Sequence, residues 1–243
     1  MRALRSSFTA LLLIAVSAGA FAFTMEPMSC LLSPSGRGSV GSFRITNDGK
    51  ERVAIRFRAL TREIGIDGAE KNAPADELFV IYPARLVVEP GATAAAKVQW
   101  KGPARLDSEL SFRLVAEQVA LEAAPSATAN SGIKVMFRYV ASLYVGEDRF
   151  APSLVANVSG ALGPNGEPGY LVEIRNEGTR HVIAANARLP FSGEGALALS
   201  SGELAELSGA NYLPGTLRRL FVPRPEAVAG ARYEARVEYE SVY

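Results

Sequence analysis

Two nine-residue stretches constrain this chain more than any other feature. Ile45-Thr46-Asn47-Asp48-Gly49-Lys50-Glu51-Arg52-Val53 and Ile174-Arg175-Asn176-Glu177-Gly178-Thr179-Arg180-His181-Val182 share one pattern, a strand, a turn built on Asn-acid-Gly, and a second strand. A further echo follows each. Glu89-Pro90-Gly91 leads into the strand Thr93 to Trp100, and Leu213-Pro214-Gly215 leads into Thr216 to Val222. Pro then Gly suits the centre of a type II turn, where only the second position needs a positive φ. The same order twice predicts two sandwiches of similar plan.

Alternation marks further strands at Val53 to Leu60, Leu110 to Val119, Leu171 to Arg175 and Tyr233 to Val242. Short strands punctuated by turn residues, with no convincing amphipathic helix, predict an all-β protein of two β-sandwiches. Gly163-Pro164-Asn165-Gly166-Glu167-Pro168-Gly169 reads as a hairpin loop, since it lacks the lysine and following helix of a phosphate loop. Leu121 to Ser131, rich in small and polar residues, reads as a loop within the first domain. The charged run Gly146-Glu147-Asp148-Arg149 reads as the linker.

The first residues read as a removable address. Arg2 and Arg5 precede the apolar run Phe8 to Gly19, which is too short to span a bilayer, and Ala20-Phe21-Ala22 supplies a small-x-small cleavage pattern. The expected units are a signal peptide over 1–22, a first sandwich over 23–148 and a smaller one over 149–243. Without the leader the chain carries 24 basic and 25 acidic residues. That balance argues against nucleic acid or an anionic membrane as a partner, and no later apolar stretch is long enough for membrane insertion. Cys30 is the only cysteine, so no intrachain disulfide is available, and it reads as a small apolar residue of a first strand.

Catalysis finds no support. One histidine and one cysteine cannot build the common zinc sites, so no metal or other cofactor is expected. No Gly-x-Ser-x-Gly elbow is present. His181, at the head of a strand after a turn, reads as a solvated turn residue.

Gly132 to Val145 is the stretch most suggestive of function. Read as a strand, it places Lys134, Met136 and Arg138 on one face and Ile133, Val135, Phe137 and Tyr139 on the other. Long cations alternating with Met suit a face that must hold something acidic.

Four segments then appear in order: Tyr82-Pro83-Ala84-Arg85-Leu86-Val87-Val88-Glu89-Pro90-Gly91, Lys97-Val98-Gln99-Trp100, Glu109-Leu110-Ser111-Phe112-Arg113-Leu114, and Ile133-Lys134-Val135-Met136-Phe137-Arg138-Tyr139. They resemble the PapD-like periplasmic pilus chaperones. Asn176-Glu177-Gly178 and Tyr212-Leu213-Pro214-Gly215 resemble that family's shorter domain, especially in its archaic branch. The resemblance implies two immunoglobulin-like sandwiches set at an angle around a cleft, in the periplasm, with no catalysis. It implies pilus or fimbrial subunits that lack a final strand as partners, held by donor-strand complementation and passed to an outer-membrane usher, and self-association of the free chaperone is a further possibility it raises. Carried over by position, Lys134 is the anchor for the subunit's terminal carboxylate, with Ile133 and Val135 as plugs beside it. Arg138 is implied to form an interdomain ion pair with Glu109. The first strand, Ser29-Cys30-Leu31-Leu32, departs from the family by lacking a second anchoring cation, and Arg85 is the substitute nearest a family motif. The alternative reading is a structural component, a two-domain surface or pilus protein without chaperone duty.

Overall fold

The computed structural model of the protein describes residues 23–120, 135–193 and 195–242. The expected leader 1–22, the loop 121–131 and the residues Ile133 and Lys134 lie outside them.

The first domain is built from β1 (Thr24–Glu26), β2 (Ser29–Leu32), β3 (Val40–Thr46), β4 (Val53–Thr61), β5 (Glu63–Ile64), β6 (Glu70–Lys71), β7 (Phe79–Tyr82), β8 (Arg85–Val88), β9 (Thr93–Trp100), β10 (Leu110–Val119) and β11 (Arg138–Val145). Two sheets face each other, one ordered β1-β3-β9-β7 and the other β2-β11-β10-β4-β8, while β5 and β6 form a small separate ladder. Period-two alternation decides which side chains enter the space between the sheets. Phe43 and Ile45 of β3, Ala96, Val98 and Trp100 of β9, and Phe112, Leu114 and Ala116 of β10 are all buried there. Phe79, Trp100 and Phe112 meet with centroids 5.0–5.6 Å apart at tilted angles, a geometry the ring quadrupoles favour. The opening strand changes sheets: β1 pairs with β3, and after Pro27 the chain continues as β2, which runs parallel to β11.

The second domain contains β12 (Leu154–Leu162), β13 (Pro168–Asn176), β14 (Val182–Gly193), β15 (Gly195–Leu199), β16 (Asn211–Tyr212), β17 (Leu217–Pro223), β18 (Arg232–Ala235) and β19 (Glu238–Val242). Its strands run β15-β14-β18-β12-β13-β17, with β16 and β19 also paired to β14. Gly163 to Glu167 closes the β12–β13 hairpin, as its composition predicts. The strand expected over Tyr233 to Val242 divides in two, and β14 carries a register shift between Ala185 and Arg188 within its pairing to the second piece, beside Asn186 at φ 51°. β19 pairs with β14 on both sides of that irregularity, from Ile183 opposite Val242 to Arg188 opposite Glu238, whereas β18 pairs with β12 and meets β14 at Phe191. Phe150, which the sequence assigns to the second unit, packs into the first core.

The predicted duplication extends to individual hydrogen bonds. Asn47 Nδ2 donates to Glu51 O and Val88 O, and Asn176 Nδ2 donates to Arg180 O and Tyr212 O, all at 2.8–2.9 Å. Gly49 N and Gly178 N each donate to the Oδ1 of their asparagine. The backbone of each asparagine also clamps the Pro-Gly turn: Asn47 N bonds Ala92 O while Gly91 N bonds Asn47 O, and Asn176 N bonds Thr216 O while Gly215 N bonds Asn176 O. Gly91 and Gly215 sit at φ 71° and 75°, which explains why glycine occupies both. Both asparagines are fully buried. Each ties two turns of its sandwich to one amide, and Asn176 Oδ1 also accepts from Ser153 N, fastening the incoming linker.

Candidate functional site

β11 gives the first domain an edge that is only half covered. β2 pairs with it from Ser142 to Val145, while Arg138 to Ala141 ladder only with β10 among the described residues. The direction of the backbone groups follows from two hydrogen bonds. Gln118 N donates to Phe137 O, and Ser142 N donates to Met28 O, so odd-numbered residues of β11 address β10 and even-numbered ones address the other side. The amides of Arg138 and Val140 therefore point at the uncovered edge. Phe137 and Tyr139 pack against the core, whereas Val135, 55% exposed, and Met136 lie just ahead of the strand at the surface.

The other end of β11 is the domain junction. Glu109, buried, accepts from His181 N at 3.1 Å and contacts His181 Nδ1 at 2.6 Å, with Arg180 Nε 4.0 Å from its second oxygen. Glu109 N donates to Thr179 O as well. The His181 ring stacks on Tyr144, centroids 3.7 Å apart and 4° from parallel, and the Tyr144 hydroxyl accepts from Asn211 Nδ2 at 2.8 Å. The expected solvated turn histidine is thus a buried interdomain contact. The turn places it correctly, but its partners come from strands distant in sequence.

Glu109 therefore serves the junction, but with His181 and Arg180 in place of the expected Arg138. Arg138 stands opposite Glu117, and Glu109 lies eight residues before Glu117, so the anticipated pair is separated by eight register positions, roughly 26 Å along the strand. Arg85 is not near this edge either. It opens β8 at the opposite margin of the sheet, opposite Arg56, with β4 and β10 between it and β11. Lys134 precedes Arg138 in sequence and, with Ile133, belongs outside the described residues.

The cations beside the junction are ones the sequence did not single out. Arg62, following β4, and Arg113 of β10 both bind the carboxylate of Glu70 on β6. Arg62 Nε lies 2.9 Å from Oε2 and Arg113 Nε 2.8 Å from Oε1. Asn72 Nδ2 adds a bond to Oε1. The two guanidiniums then reach β11, Arg62 Nη1 donating to the Tyr144 hydroxyl at 3.0 Å and Arg113 Nη1 to Ser142 Oγ at 2.7 Å. Arg62 also lines a cleft of about 520 Å³ together with Ile64, Leu78, Glu109, Ser111 and the second domain's Leu213 to Thr216. Alternation alone turns Arg113 away from the core. Its pairing with Glu70 joins positions 43 residues apart, which no local pattern reveals.

Burial alone would raise the Glu70 carboxyl, but hydrogen bonds from Arg113 and Asn72 and the charges of Arg62 and Arg113 hold it down at about 2. A folded value below the unfolded one of about 4.3 adds stability above that pH and loses it as the pH falls toward 2. Glu70→Gln is therefore expected to be about 2 kcal/mol less stable than the parent at pH 7, with the difference closing between pH 4.3 and 2. Urea unfolding at a series of pH values measures it, and a constant gap across that range would count against the pairing.

Among the described residues no helix is long and apolar enough to cross a membrane, and no cluster of three potential metal ligands occurs. No family model and no curated protein matches the sequence. Similarity emerges in three dimensions. The chain is similar to one from the chaperone–tip adhesin complex of CFA/I fimbriae biogenesis (16% identity, TM-score 0.56, covering 84% of this chain and 90% of that one). It is similar to the class 5 fimbriae chaperone CfaA (14% identity, TM-score 0.55, 90% and 99% covered). A chain of the CsuC–CsuE chaperone–subunit pre-assembly complex, from the archaic chaperone-usher Csu pili of Acinetobacter baumannii, is similar as well (13% identity, TM-score 0.51, 86% and 93% covered). The architecture is that of the two-domain fimbrial chaperones, with two immunoglobulin-like sandwiches, as the sequence resemblance implies.

Proposed function

We propose that the protein is a periplasmic chaperone that holds pilus or fimbrial subunits by donor-strand complementation and passes them to an outer-membrane usher. One observation carries this reading: among the described residues, no strand pairs with β11 over Arg138 to Ala141 on the side away from β10. A sandwich that lacks a strand exposes unpaired backbone groups and an open groove, and both invite aggregation. A strand lent along β11 supplies ladder hydrogen bonds, while alternate side chains enter the groove. Ile133, Lys134 and Val135, the residues the resemblance assigns to the guest, precede this segment in sequence. The reading is supported by the shared fold, and by the complexes in which similar chains are found with tip adhesin subunits. It assigns the chain support of a guest and no chemistry.

The even-numbered rule gives a sharp test. Val140→Pro removes an N–H that points at the open edge and leaves the β10 ladder intact, so the chain should fold and export normally. Recovery of small sandwich proteins with affinity-purified chaperone from periplasmic extract should fall to background. Undiminished capture by a folded Val140→Pro variant would overturn strand lending.

A further inference from the structure

The β5–β6 hairpin leaves the first domain and ends on the second. Its own ladder has only two residue pairs, Glu63 with Lys71 and Ile64 with Glu70, too few to hold a ribbon together in water. Attachments at both ends do that instead. At its base Arg62 and Arg113 close on the carboxylate of Glu70, and Thr61 N donates to Ala73 O at 2.8 Å. At its tip Ile66 O accepts from Arg219 N of β17 at 3.1 Å. Gly68 lies so close to Arg218 that a Cβ there would meet the guanidinium, which is itself tied to the second domain by a bond from Nη2 to Glu206 O.

The tip lands on the outer margin of a sheet. β17 ends the order β15-β14-β18-β12-β13-β17 and pairs only with β13 among the described residues. Asn176 N donates to Thr216 O and Arg224 N to Pro168 O, so even-numbered residues of this strand address β13 and odd-numbered ones address the margin. Leu217, Arg219 and Phe221 therefore turn their amides outward, whereas Pro223 has none to offer. Such margins invite pairing with another chain, and proline is one of the usual deterrents. The hairpin supplies a second, because Ile66 O occupies the central amide of the outward set. We propose that residues 62–72 form an interdomain strap that guards the margin of β17, and that without it this strand pairs antiparallel with β17 of a second copy. Pairing centred on Arg219 is self-complementary about a two-fold axis, as a closed dimer requires. A guard rooted in one domain and covering the other is only as firm as its root, and the two guanidiniums on Glu70 fix that root. The strap does not depend on strand lending, whose edge is β11 in the first domain.

The test compares the mature chain with a variant in which Asn-Gly, a favoured two-residue hairpin turn, replaces residues 65–69, so that Glu70 stays between its arginines while the tip no longer reaches β17. By NMR hydrogen exchange the Arg219 amide should lose about tenfold in protection, while Leu220 and Val222, which face β13, keep theirs. By sedimentation velocity the shortened chain should shift toward dimer relative to the parent as its concentration rises. Arg219→Pro in the same background removes the central outward amide and should restore the parent's distribution. Unchanged Arg219 protection in the shortened chain overturns the strap. A loss shared equally by Leu220 and Val222 is general loosening and overturns it too. Lost protection at Arg219 alone, with sedimentation identical to the parent, overturns the guard against a second copy, and so does a dimer that persists after Arg219→Pro. Should the shortened chain not fold, Glu70→Gln decides by the same two readouts, with Arg219 exchange rising severalfold beyond any change at Leu220 and Val222.

Discussion

Asn176→Ala should lower the stability of the protein by about 3–4 kcal/mol. The change deletes four side-chain hydrogen bonds at once, from Nδ2 to Arg180 O and Tyr212 O and to Oδ1 from Ser153 N and Gly178 N. The groups left behind stay buried, and an unpaired buried donor or acceptor costs about 1–3 kcal/mol. For a chain of this size, thermal unfolding should move down by roughly 10 °C. Asn47→Ala removes three such bonds and should cost somewhat less. Asn176→Asp keeps the acceptor and loses the donors, so it should fall between parent and alanine variant. A midpoint for Asn176→Ala within a degree or two of the parent would show that the clamp contributes little.

Glu109→Ala is expected to have a comparable effect by a different route. Its carboxylate is buried between the domains and faces the side chains of His181 and Arg180 and the His181 amide. Removing one side of a buried charged contact costs about 3–5 kcal/mol, because the partner groups remain desolvated. The variant should also show a wider distribution of interdomain distances by small-angle X-ray scattering. Arg138→Ala, at the far end of β11, should stay within about 0.5 kcal/mol of the parent and scatter identically. If Arg138→Ala loosened the domains and Glu109→Ala did not, the junction would have to be assigned differently.

Much of the architecture was legible because its signals are local. Alternation places β9 and β10 at their observed limits, Thr93–Trp100 and Leu110–Val119, and the paired Asn-acid-Gly and Pro-Gly segments announce two sandwiches of one design. The site was less legible, because its register is set by partners far along the chain. The segment from Ile133 to Tyr139 matches a family motif by letters, yet β11 runs on to Val145 before it reaches the junction. A shift of an odd number of residues also exchanges the two faces of a strand, so a motif match cannot by itself say which side chain meets the neighbouring domain. His181 was misjudged for the same reason: its turn is visible in sequence, whereas Glu109 and Tyr144 stand 72 and 37 positions away. Arg62, Arg113 and Glu70 carry no motif.

The junction has a consequence for how the molecule comes apart. Glu109 immediately precedes β10 and Tyr144 lies near the end of β11, strands of the first core, yet both side chains make contacts in the second domain. Neither domain can lose its structure without exposing side chains that the other depends on. Heating should accordingly give a single calorimetric peak whose van't Hoff and calorimetric enthalpies agree, as for one cooperative body spanning both halves of the chain.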